Sequence, residues 1–360
     1  MAAIDIGSNT SLLLIARISK EQASQVEILE DQLFFTRLAQ REPPVDIPNR
    51  SRKTGRQAVT FPSRENGNLS LEEKQGSNRI GTKISLEALE RQKNFFKRAK
   101  KLIHQYSVEK IKCVATAAAR QAQNAQELLS MGKEHGFSID IISAEEEALI
   151  SRKGALFRLS VNPISAVVLD IGGASTEIST NHQCFSLPIG SVNLTEEFIY
   201  NDPPTKKEIQ RLTEKIQAEL RTIPFSCSKK SVLVAVAGTP TTLATLENKT
   251  DNSSPSGRTP SPLSRLFPLR DGFLNPEFSN TIRIHGKKLS INQVQHWWEH
   301  LFQIPVEKRK TLKGMPFYRA DVMPAGLSIL KQVMNQFQWK ECLVSITGLR
   351  YGLLHQMQGV

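Results

Sequence analysis

The 360-residue sequence predicts an α/β protein of two domains. Three observations lead there. The length exceeds what one hydrophobic core usually holds. Short strand patterns rich in Val, Ile and Ala alternate with amphipathic helical patterns. Three of the predicted strands end in small polar turns that contain glycine, at Gly7, at Gly172 and Gly173, and at Gly238.

Taken in order, Ala2 to Ile6 reads as a strand, Gly7 to Thr10 as a polar turn and Leu12 to Ile18 as a second strand, together a β-hairpin. Arg41 to Arg79 mixes Pro, Gly, Asn and Ser with eight basic and five acidic residues and keeps no period, so it reads as a long loop insertion. Ser85 caps a helix with Leu86, Leu89, Phe96 and Ile103 on one side and a basic remainder, for which solvation is the plain account. Ile111 to Ala115 is a buried strand, followed by Arg120 and a helix from near Asn124. Phe137 to Ile142 reads as a strand, Glu145 to Leu156 as a helix, and Ala166 to Ile171 as a strand stopping at two glycines.

Ile209, Leu212, Ile216 and Leu220 mark an amphipathic helix, and Val232 to Ala237 a buried strand. Lys249 to Arg270 holds four prolines among Ser, Thr, Asn and Gly and reads as a second loop insertion. From Ser290, Ile291, Val294, Trp297, Trp298 and Leu301 recur at helical spacing as a core face. Arg319 to Leu330 and Leu343 to Leu354 complete the chain, and no fixed-period repeat is visible, which excludes a solenoid or propeller.

The hydrophobic fraction of 39% and charged fraction of 23% are those of a globular protein. Against 35 Asp and Glu stand 47 Lys and Arg, and a net charge of +12 favours a polyanionic partner such as polyphosphate, a nucleotide or nucleic acid. A nucleic-acid role is not expected, because no helix-turn-helix, zinc or aromatic RNA-binding pattern accompanies the charge. Cys113, Cys184, Cys227 and Cys342 stand far apart, without C-x-x-C or nearby metal-ligand histidines, and read as reduced thiols. The opening MAAIDIGSNTSLLLIA has no basic segment before its broken apolar run, and no apolar span reaches the ~20 residues of a membrane helix, so a cytoplasmic location is expected and no membrane contact.

The chemistry lies in the three turns: Asp5-Ile6-Gly7-Ser8-Asn9-Thr10, then Asp170-Ile171-Gly172-Gly173-Ala174-Ser175-Thr176-Glu177, then Ala237-Gly238-Thr239. Glycine lets consecutive N–H groups converge on an anion, and the Ser and Thr hydroxyls add donors. Carboxylates cannot bind phosphate directly, which points to a hydrated divalent cation between them and the phosphate.

DIGSNT, ATAAARQAQN, IISAEEEA, DIGGASTE, LPIGSVNLTE, AGTPTTLA and RADVMPAGLSIL follow one another here. In order and spacing they resemble the exopolyphosphatase / guanosine pentaphosphate phosphohydrolase family from Ala2 to about Leu354. The resemblance implies the actin-like fold, in which two duplicated α/β domains, each with a mixed five-stranded sheet, face each other across a cleft. The first domain would comprise 1–123 with about 340–360, and the second 124–339. Glu147 falls on the family's catalytic base and Arg120 on its phosphate-contacting arginine. Gly7, Ser8, Asn9, Thr10, Gly172, Gly173, Ala174, Ser175, Thr176, Gly238 and Thr239 fall on phosphate-binding turns. Asp170 matches the metal-associated aspartate, with Asp5 and Glu177 as helpers, and Mg²⁺ or another divalent cation as cofactor.

What the resemblance implies is hydrolysis of terminal phosphoanhydrides, with inorganic polyphosphate as substrate ahead of guanosine pentaphosphate, and a possible homodimer. A non-catalytic sensor and an actin-like kinase are the other readings. Two departures stand out: Ala174 where the family commonly has a third glycine, and Leu149 where it has an arginine.

Overall fold

The computed structural model describes residues 1–18, 26–39, 83–224, 228, 230–250 and 283–358. The expected insertion at 41–79, most of that at 249–270, and Cys227 lie outside the described residues.

The first sheet grows from the amino-terminal hairpin. β1 (Ala2–Ile6) pairs antiparallel with β2 (Thr10–Ile18), and β2 with β3 (Val26–Phe35). β4 (Ile111–Ala115) lies parallel to β1, and β5 (Ile139–Ile141) parallel to β4, giving the order β3-β2-β1-β4-β5. β3 was not expected from sequence, because Glu27, Glu30, Asp31 and Gln32 mask the alternation that seats Val26 and Ile28 in the core. Helix α1 (Leu86–Gln105) starts where the Ser85 hydroxyl accepts from the Ala88 N–H, and it buries Leu89, Phe95, Phe96 and Ala99. The short α2 (Ala117–Gln121) and α3 (Ala125–Glu134) follow β4.

After α4 (Ala144–Ala155) the pattern repeats. β6 (Ala166–Ile171), β7 (Thr176–Ser179) and β8 (Cys184–Leu187) form an antiparallel meander. Helices α5 (Ser191–Phe198) and α6 (Lys206–Leu220) lead to β9 (Val232–Val236), parallel to β6 and followed by α7 (Gly238–Thr250). Then come β10 (Lys288–Ser290), α8 (Ile291–Gln303), α9 (Val306–Lys310), α10 (Met323–Gln336), β11 (Glu341–Val344) and α11 (Leu349–Met357). The second sheet runs β10-β11-β9-β6-β7-β8.

Set side by side, β3-β2-β1-β4-β5 and β8-β7-β6-β9-β11 are the same arrangement, a meander whose first strand adds two parallel strands. This is the duplicated actin-like α/β architecture expected. The duplication reaches atomic detail: the Gly7 N–H donates to the Thr10 carbonyl and the Gly172 N–H to the Ser175 carbonyl, each at 3.0 Å.

Four expectations need correction. The second sheet has six strands rather than five, because β10 adds to the edge of β11. Residues 125–141 belong with the first sheet, since β5 pairs with β4, so the crossing to the second half falls at Ile142–Ser143 rather than at 124. From about 340 the chain was placed with the first domain, yet β11 pairs with β9 in the second sheet, and only α11 packs on β1 and β2. Lys249 and Thr250 close α7 rather than opening a loop.

Helices α4 and α11 lie against each other between the sheets, backbone to backbone. A Cβ on Gly352 would overlap the Ile150 carbonyl oxygen, and one on Gly154 would overlap the Gly348 oxygen. No helix among the described residues is long and apolar enough to cross a membrane.

Candidate active site

The two hairpin turns and the start of α7 open onto one cavity of about 750 Å³ between the halves. Its wall includes Gly7, Ser8, Asn9 and Thr10 from the first turn, Gly172, Gly173 and Ser175 from the second, and Gly238 from the third. The first two turns touch: a Cβ on Gly173 would stand 2.9 Å from the Ser8 Cβ and 3.3 Å from the Asn9 nitrogen. Asn9 is 6% exposed, and neither its amide oxygen nor its amide nitrogen has a partner. A buried amide left unpaired costs about 1–3 kcal/mol.

Three residues of the expected phosphate-binding set stand behind the turns and off the cavity wall. The Thr176 hydroxyl donates to the Ile189 carbonyl at 2.6 Å, and Thr239 is buried against Gly326. Ala174 is buried, its carbonyl accepts from Asn193 at 2.9 Å, and it is not among the residues held in the left-handed region, so its methyl is accommodated without strain. The left-handed residue is Ala237 of the third turn, at φ +74°.

The acidic run at the start of α4 divides its labour. Ser143 caps the helix, and the Glu146 carboxylate reaches back to the Ser143 N–H at 2.8 Å, closing a capping box on the exposed side. Glu145 is exposed. Glu147, one residue on, turns to the cavity and accepts from Arg120 at 2.7 Å. Arg120 also donates to the Ile142 carbonyl at 2.9 Å, which fixes its fork where the chain crosses between sheets. Leu149, at the family's arginine position, is exposed.

Four carboxyl groups influence one another here. Burial pushes Asp5 up to about 8, reinforced by Glu147 and Asp170 and opposed by Arg350. Burial likewise raises Glu147 to about 7, against the pull of Arg120. Burial raises Asp170, whose carboxylate accepts from the Ser151 hydroxyl. Glu177 is raised well above the usual range by burial and then by Glu147 and Asp170; it sits behind the cavity wall, accepting from Ser186 at 2.8 Å. Such a set favours a cation, which would return these groups to their charged forms. Among the described residues no three His, Cys, Asp or Glu groups suffice to hold a metal ion by themselves. Asp5 and Asp170, both on the cavity wall, are the carboxylates that a hydrated ion of the Mg²⁺ type would use, since such an ion needs only one or two.

Several cavity residues carried no sequence signal. Arg350 grips Asp31 through two bonds of 2.9 Å across 319 positions of chain, and both line the cavity. Arg319 also lines it, with Gly238 packed directly on its guanidinium, so that a Cβ at 238 would require the Arg319 side chain to move. The RADVMP motif contained Arg319, but nothing in the motif told which way it faces. At the mouth, Arg37 pairs with Asp321 at 2.6 Å, and Phe35 lies against Tyr318 with centroids 5.6 Å apart, so the end of β3 touches the second half.

The model of the Ppx/GppA phosphatase family matches residues 51–359. Exopolyphosphatase 2 of Mycobacterium tuberculosis is 33% identical over 174 residues, which cover 44% of this chain and 54% of that protein. The bifunctional 3-dehydroquinate synthase/phosphatase of Fusobacterium nucleatum is 27% identical over 351 residues, 93% of this chain and 43% of that protein. This chain thus spans about half the length of the curated relatives it matches. The crystal structure of the Ppx/GppA family member from Aquifex aeolicus superposes with a TM-score of 0.66 at 28% identity, covering 99% of this chain and 96% of that one. An exopolyphosphatase structure from Cytophaga hutchinsonii shares the fold, with a TM-score of 0.72 at 18% identity over 99% of this chain and 97% of its own. With its family model matched over most of its length and its fold shared by those structures, the chain belongs to the Ppx/GppA phosphatase family.

Proposed function

We propose that this chain hydrolyses the terminal phosphoanhydride bond of inorganic polyphosphate. The observation that carries the reading is the union, in one cavity, of two mirrored glycine hairpin turns with the Glu147 carboxylate held by Arg120. In this mechanism the backbone N–H groups of Ser8, Asn9 and Ser175, the hydroxyls of the two serines and the Asn9 side-chain amide N–H hold the terminal phosphate, and the start of α7 adds its positive end. Glu147 takes a proton from a water placed in line with the bond to the leaving phosphate. Arg120, which stands behind Glu147 and off the cavity wall, orients that carboxylate. Asp170 and Asp5, with Glu177 behind them, would hold the Mg²⁺ that, when bound, neutralises phosphate charge.

Guanosine pentaphosphate is the second reading. Leu12, Leu33, Met315, Phe317 and Tyr318 give part of the cavity wall an apolar and aromatic character on which a base can rest. The reaction is placed in the cytoplasm, where substrates of both kinds and reduced thiols belong.

The test is phosphate release by the purified chain from polyphosphate, guanosine pentaphosphate and ATP, with Mg²⁺ or with EDTA. Release expected with Mg²⁺, abolished by EDTA and fastest on polyphosphate, supports the first reading. A faster rate on guanosine pentaphosphate selects the second, and binding without release from any substrate replaces both with a sensor.

A further inference from the structure

Helix α1 carries a run of charge that the cleft chemistry does not use. From Arg91 to His104 it presents Arg91, Lys93, Lys97, Arg98, Lys100 and Lys101, and its acids, Glu87 and Glu90, lie only in the first two turns. Complementing the helix dipole accounts for cations in the last turn but not for those at 91, 93 and 97, which stand in its first twelve residues. Lys97, Arg98, Lys100 and Lys101 are exposed and form no ion pair among the described residues. The acid facing this helix from the neighbouring sheet is Glu30, which senses Arg98.

The helix is fastened to the phosphate-binding end of the cleft. Arg91 donates to the Thr36 carbonyl at 2.9 Å, and the Thr36 N–H donates to the Asn9 carbonyl at 3.3 Å. Gln92 accepts from the Ser11 hydroxyl at 2.7 Å, one residue past the first turn. Arg37, itself paired with Asp321, stands close enough to Arg91 to lower its pKa, after burial. At the far end Lys100, His104 and His135 border a shallow depression of about 400 Å³. Thirteen helical steps at about 1.5 Å each make this ridge about 20 Å long.

We propose that the exposed face of α1 is a docking track for the distal part of a polyphosphate chain whose terminal phosphate is in the cleft. The proposal rests on the cleft being the site of that terminal phosphate. The occupant follows from the chemistry: a dense, flexible polyanion matches a row of cations. A nucleic acid would in addition be expected to stack on aromatic side chains, and Phe95 and Phe96 of this helix are turned into the core. A nucleoside polyphosphate is too short to occupy the cleft and run the length of the ridge. The track therefore distinguishes long chains from short ones.

The experiment compares the wild type with Lys97→Gln/Lys100→Gln/Lys101→Gln, whose three side chains are exposed, and with the matching Lys→Arg variant. Affinity for long-chain polyphosphate and for tripolyphosphate is read by titration in EDTA across a salt series. The Gln variant is expected to bind the long chain about 10- to 100-fold more weakly with a salt dependence shallower by about two to three, and to keep its tripolyphosphate affinity; the Arg variant is expected to match the wild type. Unchanged long-chain affinity in the Gln variant overturns the track, as does an equal loss for tripolyphosphate. Tighter binding of single-stranded RNA than of polyphosphate, lost with the same lysines, overturns the choice of occupant. Because binding is read without turnover, a chain that releases no phosphate from any substrate sinks the hydrolase reading and leaves this comparison standing.

Discussion

Replacing Glu147 with Gln is expected to lower kcat for phosphate release about 10³-fold, about 4 kcal/mol of transition-state free energy, with KM little changed. The amide keeps the size of the carboxylate but cannot accept a proton. In the proposed mechanism phosphate binding rests on the hairpin turns, so the ground state is spared. Glu145→Gln and Glu146→Gln are the controls, since the former is exposed and the latter serves the helix cap. The pH profile gives a second readout. Burial places Glu147 at about 7, and a base works only when deprotonated, so the rate rises as pH passes through about 7 and then levels. Added Mg²⁺ favours the charged form and moves that rise to lower pH. In Glu147→Gln the rise disappears from the residual rate.

The second large effect is expected far from any phosphate. Gly352→Ala would drive a methyl into the Ile150 carbonyl, with the carbonyl carbon at 2.8 Å, and neither helix has a flexible side chain there to yield. Forced separation of α4 and α11 is expected to lower stability by about 3 kcal/mol, at the upper end for overpacked cores. Function is expected to fall further than stability. Helix α4 carries Glu147, and α11 carries Arg350, whose charge restrains the rise of the Asp5 pKa. Moving the helices apart displaces both relative to the turns, and an error of about 1 Å can cost 100-fold. Urea unfolding and kcat, measured on the same sample, check the pair of effects; a folded variant with wild-type kcat would show that the close approach is packing alone.

How much of this was legible in the sequence depends on whether the signal is local. The hairpin at Gly7 and its repeat at Gly172 could be read because strand, acid and glycine follow within a few residues. Glu147 could be singled out from its two neighbours only through the family resemblance; the structure supplies a physical reason, because the capping box turns Glu146 away and helical periodicity turns Glu147 inward. β3 escaped because its outward and inward residues are both polar over the middle of the strand. The sheet boundaries escaped because β5 and β11 carry no mark of which sheet they join. The Arg350–Asp31 and Arg37–Asp321 pairs escaped for a related reason: residues hundreds of positions apart meet only once the two halves are built.

The measurement that tests the central claim most directly is hydrolysis of polyphosphate in ¹⁸O-labelled water, with the oxygen followed by mass spectrometry. If Glu147 directs water onto the terminal phosphorus, each released orthophosphate carries one labelled oxygen and the shortened chain carries none. Label found on the end of the shortened chain, or no release at all from a chain that binds, would contradict the account.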